Sequence, residues 1–286
     1  MAHAKIRLLP RKQSSLKKGS ILRGKALRVS VSIGARMSDK LLKNIAMMTR
    51  ITEREIRKLF EADNYAGDYA MDANIGSQAR ILMNSLSDRF EDMFSRIAGP
   101  ATDDMIEQVD SNSAATLKRS LREIGAEMTF STDIMTAELR ETIAASAAES
   151  VALIKRVPAK YLDQITGGVM RAITSGNGLA DIVPLLEKQK VEVKNWAQNV
   201  ALDQTRKVYN GLNAGRMTAL GMDDYEWLHS HGSNHPREYH RDVLDGTICS
   251  LKNPPIINLK TGVRGKPGDE PFCRCTMRPI ISFDDE

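Results

Sequence analysis

The chain has 286 residues, of which 42% are hydrophobic, 27% charged and 5% aromatic. That length excludes a small disulfide-stapled scaffold and allows one large or two modest domains. Few aromatics beside 14 methionines favour helical packing over a β-sandwich, and the net charge of +5 is unevenly spread along the chain.

The first 38 residues contain ten basic side chains and no Asp or Glu, so the rest is net acidic. Lys5, Arg7, Arg11, Lys12, Lys17 and Lys18 lead this stretch. A basic arm of this kind is drawn to phosphate or to an acidic protein surface, with a pull that weakens as salt rises; its bland counterpart is a solvated terminus. No uninterrupted apolar run reaches the roughly 18 residues of a membrane span, and the first 30 residues lack a signal-peptide core. The expectation is a soluble protein made in the cytosol, with no membrane contact.

Beyond the arm the apolar spacing turns helical. Thr52 followed by Glu55 fits a capping box, with Ile56, Leu59 and Phe60 continuing a stripe at i, i+3 and i+4. Leu82, Leu86, Phe90, Met93 and Ile97 share one helix face, which Gly99 and Pro100 are expected to end. Thr102, Asp103 and Asp104 then suit a new helix N-terminus. An Ala-rich helical segment lies between Ser131 and Val157, and Pro158 opens the next helix in its first turn. Gly176-Asn177-Gly178 predicts a turn; a further helix runs from about Glu192 to Leu220, with Gly221 as its C-cap.

Composition changes near residue 222. From there on lie six of the ten prolines, four of the five histidines and all three cysteines. Proline removes backbone donors, so this segment predicts short strands at Tyr225–His229, Pro255–Leu259 and Thr276–Phe283 among loops. Gly262 to Gly268 predicts a mobile hairpin or basic loop. The expected fold is mainly α, with a helical N-terminal and central region and a small loop-rich α+β C-terminal module. Its divisions are a basic arm 1–38, a helical region 39–157, and a third part 158–286 made of helices 158–220 and the module 222–283.

His229, His231, His235 and His240 are clustered, and Cys273 and Cys275 follow. Imidazole and thiolate are the ligands zinc prefers, so His240, Cys273 and Cys275 are candidate ligands of a structural zinc; reduced thiol packing and a cysteine pair oxidised after lysis are the alternatives. An odd cysteine count argues against a closed disulfide framework. His231, Asn234, His235 and His240 also supply the residue types of a His-Asn-His nuclease, but Gly232-Ser233-Asn234 and Pro236 make a compact loop where that chemistry needs a hairpin and a helix. Phosphate-loop, dinucleotide, nucleophile-elbow and zinc-protease motifs are absent, so catalytic and cofactor-binding residues are not assigned. Arg237 and Arg274 would either lock loops by pairing with Asp242, Asp245 or Glu270, or touch phosphate. Asp245-Gly246 makes a turn.

One ordered pattern runs through the last third. Asn213, Arg216 and Gly221 are followed by Trp227, His229-Ser230-His231-Gly232, Pro236-Arg237, His240 and Leu244-Asp245-Gly246, then Gly268, Glu270-Pro271, Cys273-Arg274-Cys275 and Pro279. Across roughly residues 160–280 this resembles the Mu F-like phage head morphogenesis family, the minor head proteins. The resemblance implies a non-enzymatic virion component present in few copies at or near the portal vertex, assembled in the host cytoplasm. Its implied partners are the portal protein, the major capsid or scaffolding protein, and packaged double-stranded DNA, with the basic arm touching DNA or portal. Within the module, Trp227, Arg237, Asp245, Gly246 and Arg274 are expected to form a structural clasp. A metal-dependent nuclease or hydrolase of packaging or ejection, and a nonviral nucleic-acid-binding protein, are the competing expectations.

Overall fold

In the computed structural model, residues 6–8, 21–63, 72–124, 126–128, 135–232 and 236–282 are described. Five helices dominate them: α1 Val31–Asp63, α2 Asp72–Glu123, α3 Ala137–Lys155, α4 Val157–Ser175 and α5 Leu179–Ala219. The strands are short: β1 Ile6–Leu8, β2 Ile21–Arg23, β3 Ala126–Met128, β4 Asp224–Leu228, β5 Ile248–Ser250, β6 Ile256–Asn258, β7 Val263–Arg264 and β8 Thr276–Ser282. A π-helical turn, Tyr239–Leu244, lies between β4 and β5. The fold is mainly α with a small strand-containing C-terminal region, as the composition implies. Among the described residues no helix is long and apolar enough to cross a membrane.

Two compact units do not follow chain order. One comprises Met1–Gly34, Asp104–Ala147 and Leu202–Glu286; the other comprises Ala35–Asp103 and Ala148–Ala201. The unit boundaries fall inside helices.

The all-helical unit packs by the expected periodicity, with one shift. Met83, Leu86, Phe90, Phe94 and Ala98 form the buried stripe, while Leu82, Met93 and Ile97 flank it half-buried. From α1 it buries Met37, Leu41, Ile45, Met48 and Ile56, and from α4 Tyr161, Ile165 and Val169. Gly176 and Gly178 take φ of 73° and 53°, the left-handed region glycine enters without a Cβ clash, and this turn joins α4 to α5. Pro158 occupies the first turn of α4, where its missing N–H costs nothing.

Three expected helix ends are absent. Thr52 lies within α1, its hydroxyl donating to the Met48 carbonyl at 2.9 Å, and Glu55 pairs with Arg54 rather than capping. Helix α2 continues through Gly99 and Pro100, which interrupts one hydrogen bond while Ala98, Ala101 and Thr102 around it stay buried. Burial on both sides outweighs the local break. Thr102 is therefore interior, with its hydroxyl unpartnered, and Asp103 and Asp104 cap nothing.

In the other unit β2, β8, β4 and β5 form a four-stranded sheet in that order, with antiparallel pairs. Residues expected in the basic arm take part in this fold: Leu22 opposes Ile281, Leu27 is fully buried, and the Leu27 N–H donates to the Met277 carbonyl at 2.9 Å. Arg23 and Arg278 both reach the Glu226 carboxylate, at 3.2 and 3.1 Å. The stretch 21–38 is thus folded structure rather than arm. The side chains of Lys5, Arg7, Arg11, Lys12, Lys17 and Lys18 lie outside the described residues.

Candidate functional site: a polar clasp around His240, Cys273 and Cys275

Helix α5 delivers the chain into the module. Gly221, at φ 76°, ends it with its N–H on the Thr218 carbonyl and the Met222 N–H on the Met217 carbonyl, both at 2.9 Å. One turn earlier, Arg216 is buried and donates to Asp110 Oδ1 at 2.5 Å and Ser113 Oγ at 2.6 Å. Ser113 Oγ donates onward to Asn213 Oδ1 at 3.0 Å, and Asn213 Nδ2 donates to the Tyr209 carbonyl at 2.9 Å. The Asn213 and Arg216 of the sequence pattern therefore fasten α5 to α2.

In β4 Tyr225, Glu226 and Trp227 are all buried, Trp227 completely. Gly246, at φ 77°, closes the expected Asp245-Gly246 turn with its N–H on the Trp227 carbonyl at 2.8 Å. Asp245 holds the other side of the loop: Oδ1 accepts the His229 N–H at 2.8 Å, and Oδ2 meets His231 Nε2 at 3.0 Å. Burial and the neighbouring His231 keep the pKa of His229 below its ordinary value.

The π-helical turn places His240 against Trp227, the rings edge to face with centroids 5.2 Å apart. His240 Nε2 lies 2.9 Å from the Ile257 carbonyl, which can only accept, so Nε2 carries the proton and Nδ1 is left to the opposite side. There Cys273 Sγ and Cys275 Sγ each lie 3.7 Å from Nδ1. The three ligand atoms are mutually within 4.8 Å, and all three residues are buried.

The backbone around the sulfurs is arranged for negative charge. Backbone hydrogen bonding from Cys275 and Gly268 favours the Cys273 thiolate, and from Ser230 the Cys275 thiolate. The Cys275 thiol, His240 and these amides hold the Cys273 thiol well below its usual range, against the effect of burial. Its partner moves the other way, because Cys275 supplies the proton that Cys273 accepts and is itself buried. Burial opposes charging of His240, but the Cys273 sulfur and the Ile257 carbonyl raise its pKa overall.

The arginines divide. Arg237 pairs with Glu270 at 2.8 Å and donates to the Pro271 carbonyl at 2.8 Å, and Asn258 Nδ2 donates to the other Glu270 oxygen at 2.7 Å. Arg274 departs from the expected carboxylate pairing and donates to the Gly232 carbonyl at 2.7 Å. Its three candidate acids are engaged elsewhere: Asp242 by Arg241, Asp245 by the His229 and His231 loop, and Glu270 by Arg237. Arg274 also lines a cavity of about 250 Å³ together with Arg28, Arg206 and His229.

Several contributors carry no sequence signal of their own. Asp203 Oδ1 accepts the Phe272 N–H at 2.6 Å and holds Phe272 at φ 60°, an uncommon conformation for an aromatic residue. Gly268, at φ 92°, brings its backbone so close to Asn210 that a Cβ would lie 2.7 Å from Asn210 Nδ2. Of the nuclease-type residues, Asn234 and His235 lie outside the described residues, His231 is committed to Asp245, and His240 is buried.

These features lie where comparison with known proteins finds its match. Residues 163–278 match the family model for Phage Mu protein F like protein, from within α4 to within β8. Through this segment the chain is similar to the Mu F-like phage head proteins. An uncharacterized protein of Haemophilus influenzae is 27% identical over 148 residues, 52% of this chain and 31% of that protein. The chain thus spans about a third of the length of the curated relative it matches. No solved structure matches significantly.

Proposed function

We propose that this chain is a non-enzymatic minor head protein of a phage, acting in head morphogenesis at the portal vertex, with its basic N-terminal residues on packaged DNA or an acidic portal face. The observation that supports this most is the use made of the polar residues in the family segment. Arg216, Arg237, Asp245 and Glu270 bond to neighbouring protein groups, and His240, Cys273 and Cys275 are buried. Groups spent on one another in this way hold loops in place, whereas a hydrolytic site needs its acid, base and nucleophile open to a substrate. The major capsid or scaffolding protein is the second partner of this reading, and the virion is its location.

Pull-down of purified portal and major capsid proteins tests the assignment, with capture of portal as the expected result. Residues 6–8 form β1 and residues 21–38 are folded, so the arm is tested by changing Arg11, Lys12, Lys17 and Lys18 together to Gln. Portal binding or DNA affinity should fall, with a shallower salt dependence if DNA is the partner. Intact binding to neither portal nor capsid protein would overturn the reading. So would plasmid cleavage in Mg²⁺, Mn²⁺ or Zn²⁺ that disappears in His240→Ala.

A further inference from the structure

We propose that His240 Nδ1, Cys273 Sγ and Cys275 Sγ bind one Zn²⁺ ion, with solvent as the fourth ligand, and that this ion ties the π-helical turn to the loop that enters β8. The argument is geometric. Zn–S bonds of about 2.3 Å and a Zn–N bond of about 2.05 Å at a tetrahedral angle separate nitrogen from each sulfur by about 3.6 Å. Both sulfurs lie at 3.7 Å from the same Nδ1. One imidazole lone pair aligns with a single S–H donor, so two sulfurs equidistant from it match a shared cation better than a pair of thiol hydrogen bonds.

The surroundings agree with the ligand set. The Ile257 carbonyl fixes the tautomer that presents Nδ1, the role an outer hydrogen-bond partner plays for a metal-bound histidine. The buried indole N–H of Trp227, whose ring packs edge to face on His240, has no hydrogen-bond partner. Two thiolates, a neutral imidazole and Zn²⁺ sum to zero charge, which a buried site tolerates far better than a lone ion. Sulfur ligands select zinc over magnesium or calcium, and on binding any proton carried by either thiol leaves to solvent. The ion closes the chain between residues 240 and 273, a span with few large buried apolar side chains.

The test uses full-length protein purified without chelators. Elemental analysis should give about one zinc per chain, and replacement by Co²⁺ should give thiolate-to-cobalt charge-transfer absorption. Cys273→Ser, Cys275→Ser and His240→Gln should each lose the metal, while Cys249→Ser should keep it, since Cys249 lies on β5 beside Thr247 and outside the cluster. Because those variants could fail to fold, a chelator is also added to the unmutated protein. It should lower Tm and expose two thiols to a thiol reagent that the metal had shielded. Absence of metal after incubation with excess Zn²⁺ would overturn the proposal, as would a Cys273–Cys275 disulfide in freshly purified protein or equal metal loss in Cys249→Ser. Its failure would leave the head-morphogenesis assignment untouched, since that is read by portal binding.

Discussion

Arg216→Met should destabilise the protein well beyond its loss of one surface charge. The guanidinium is buried, while its partner Asp110 retains about a third of its exposure, with side-chain values of 5% and 34%. Breaking a fully buried pair costs about 3–5 kcal/mol; Asp110 can recover some hydration here, which puts the expected loss at about 2–3 kcal/mol. With an unfolding entropy of about 2.1 cal/mol/K per residue, a chain of this length loses a little under about 2 °C in Tm per kcal/mol, hence roughly 3–5 °C. Methionine keeps most of the volume, so a cavity contributes little. The assay is urea denaturation and thermal melting of wild type, Arg216→Met, Asp110→Asn and the double variant. A coupling of about 1–2 kcal/mol between the two sites is expected. Arg96→Met is the control, because Arg96 pairs with Asp92 at 2.7 Å with side chains 77% and 58% exposed and should cost below about 0.5 kcal/mol. Strict additivity of the Arg216 and Asp110 changes, or an Arg216→Met cost no larger than that of Arg96→Met, would refute the reasoning.

Pro100→Ala should raise stability by about 1–3 kcal/mol, since α2 runs through this exposed position and alanine restores its hydrogen-bond donor; a lower Tm would mean that the helix needs the break. Gly268→Ala should cost about 1–2 kcal/mol, from its left-handed φ of 92° and the 2.7 Å approach to Asn210 Nδ2, and urea midpoints measure it. Glu226→Gln should cost about 1–2 kcal/mol by weakening two charge-assisted bonds, to Arg23 and Arg278. It should also speed hydrogen exchange at residues 21–23, where β2 is held at the edge of the sheet; unchanged exchange there would show that the backbone ladder alone retains β2.

What could be read from the sequence depended on how local the signal was. Pro158, Gly176, Gly178 and Gly221 act through their own backbone geometry, and the structure puts a helix start, a turn and a helix end where they stand. The strands at 224–228, 256–258 and 276–282 follow from β-branched and alternating residues between prolines. Thr52 and Pro100 misled because their local preferences compete with burial that only the folded chain supplies: Ile51, Thr52 and Ile56 are packed on one helix, Ala98 and Ala101 on the other. The stripe was displaced by one position for a related reason, since Leu82 and Met83, or Met93 and Phe94, are equally apolar and only the packing partner decides which faces inward.

The clasp separates the same two kinds of information. His240, Cys273 and Cys275 declare themselves by residue type, so their meeting could be anticipated without coordinates. The atoms that orient them could not. The Ile257 carbonyl and the amides of Ser230, Gly268 and Cys275 belong to the backbone, and any side chain at three of those four positions would present the same group. Gly268 is the exception: only a positive φ and a missing Cβ let the chain pass Asn210 there. Asp203 acts the same way from a distance of 69 residues, holding Phe272 so that Cys273 follows at the required turn. Fold and clasp are therefore coupled through α5, which carries Asp203, Asn210, Asn213 and Arg216. A substitution that shifts α5 against α2 should disturb the sulfur pair without touching it, and loss of Arg216 should loosen the Cys273 environment as well as lower Tm. Faster thiol labelling at Cys273 in Arg216→Met under native conditions is the expected sign of that coupling; labelling at the wild-type rate in a destabilised variant would show that the module holds its sulfurs independently of the helix that leads into it.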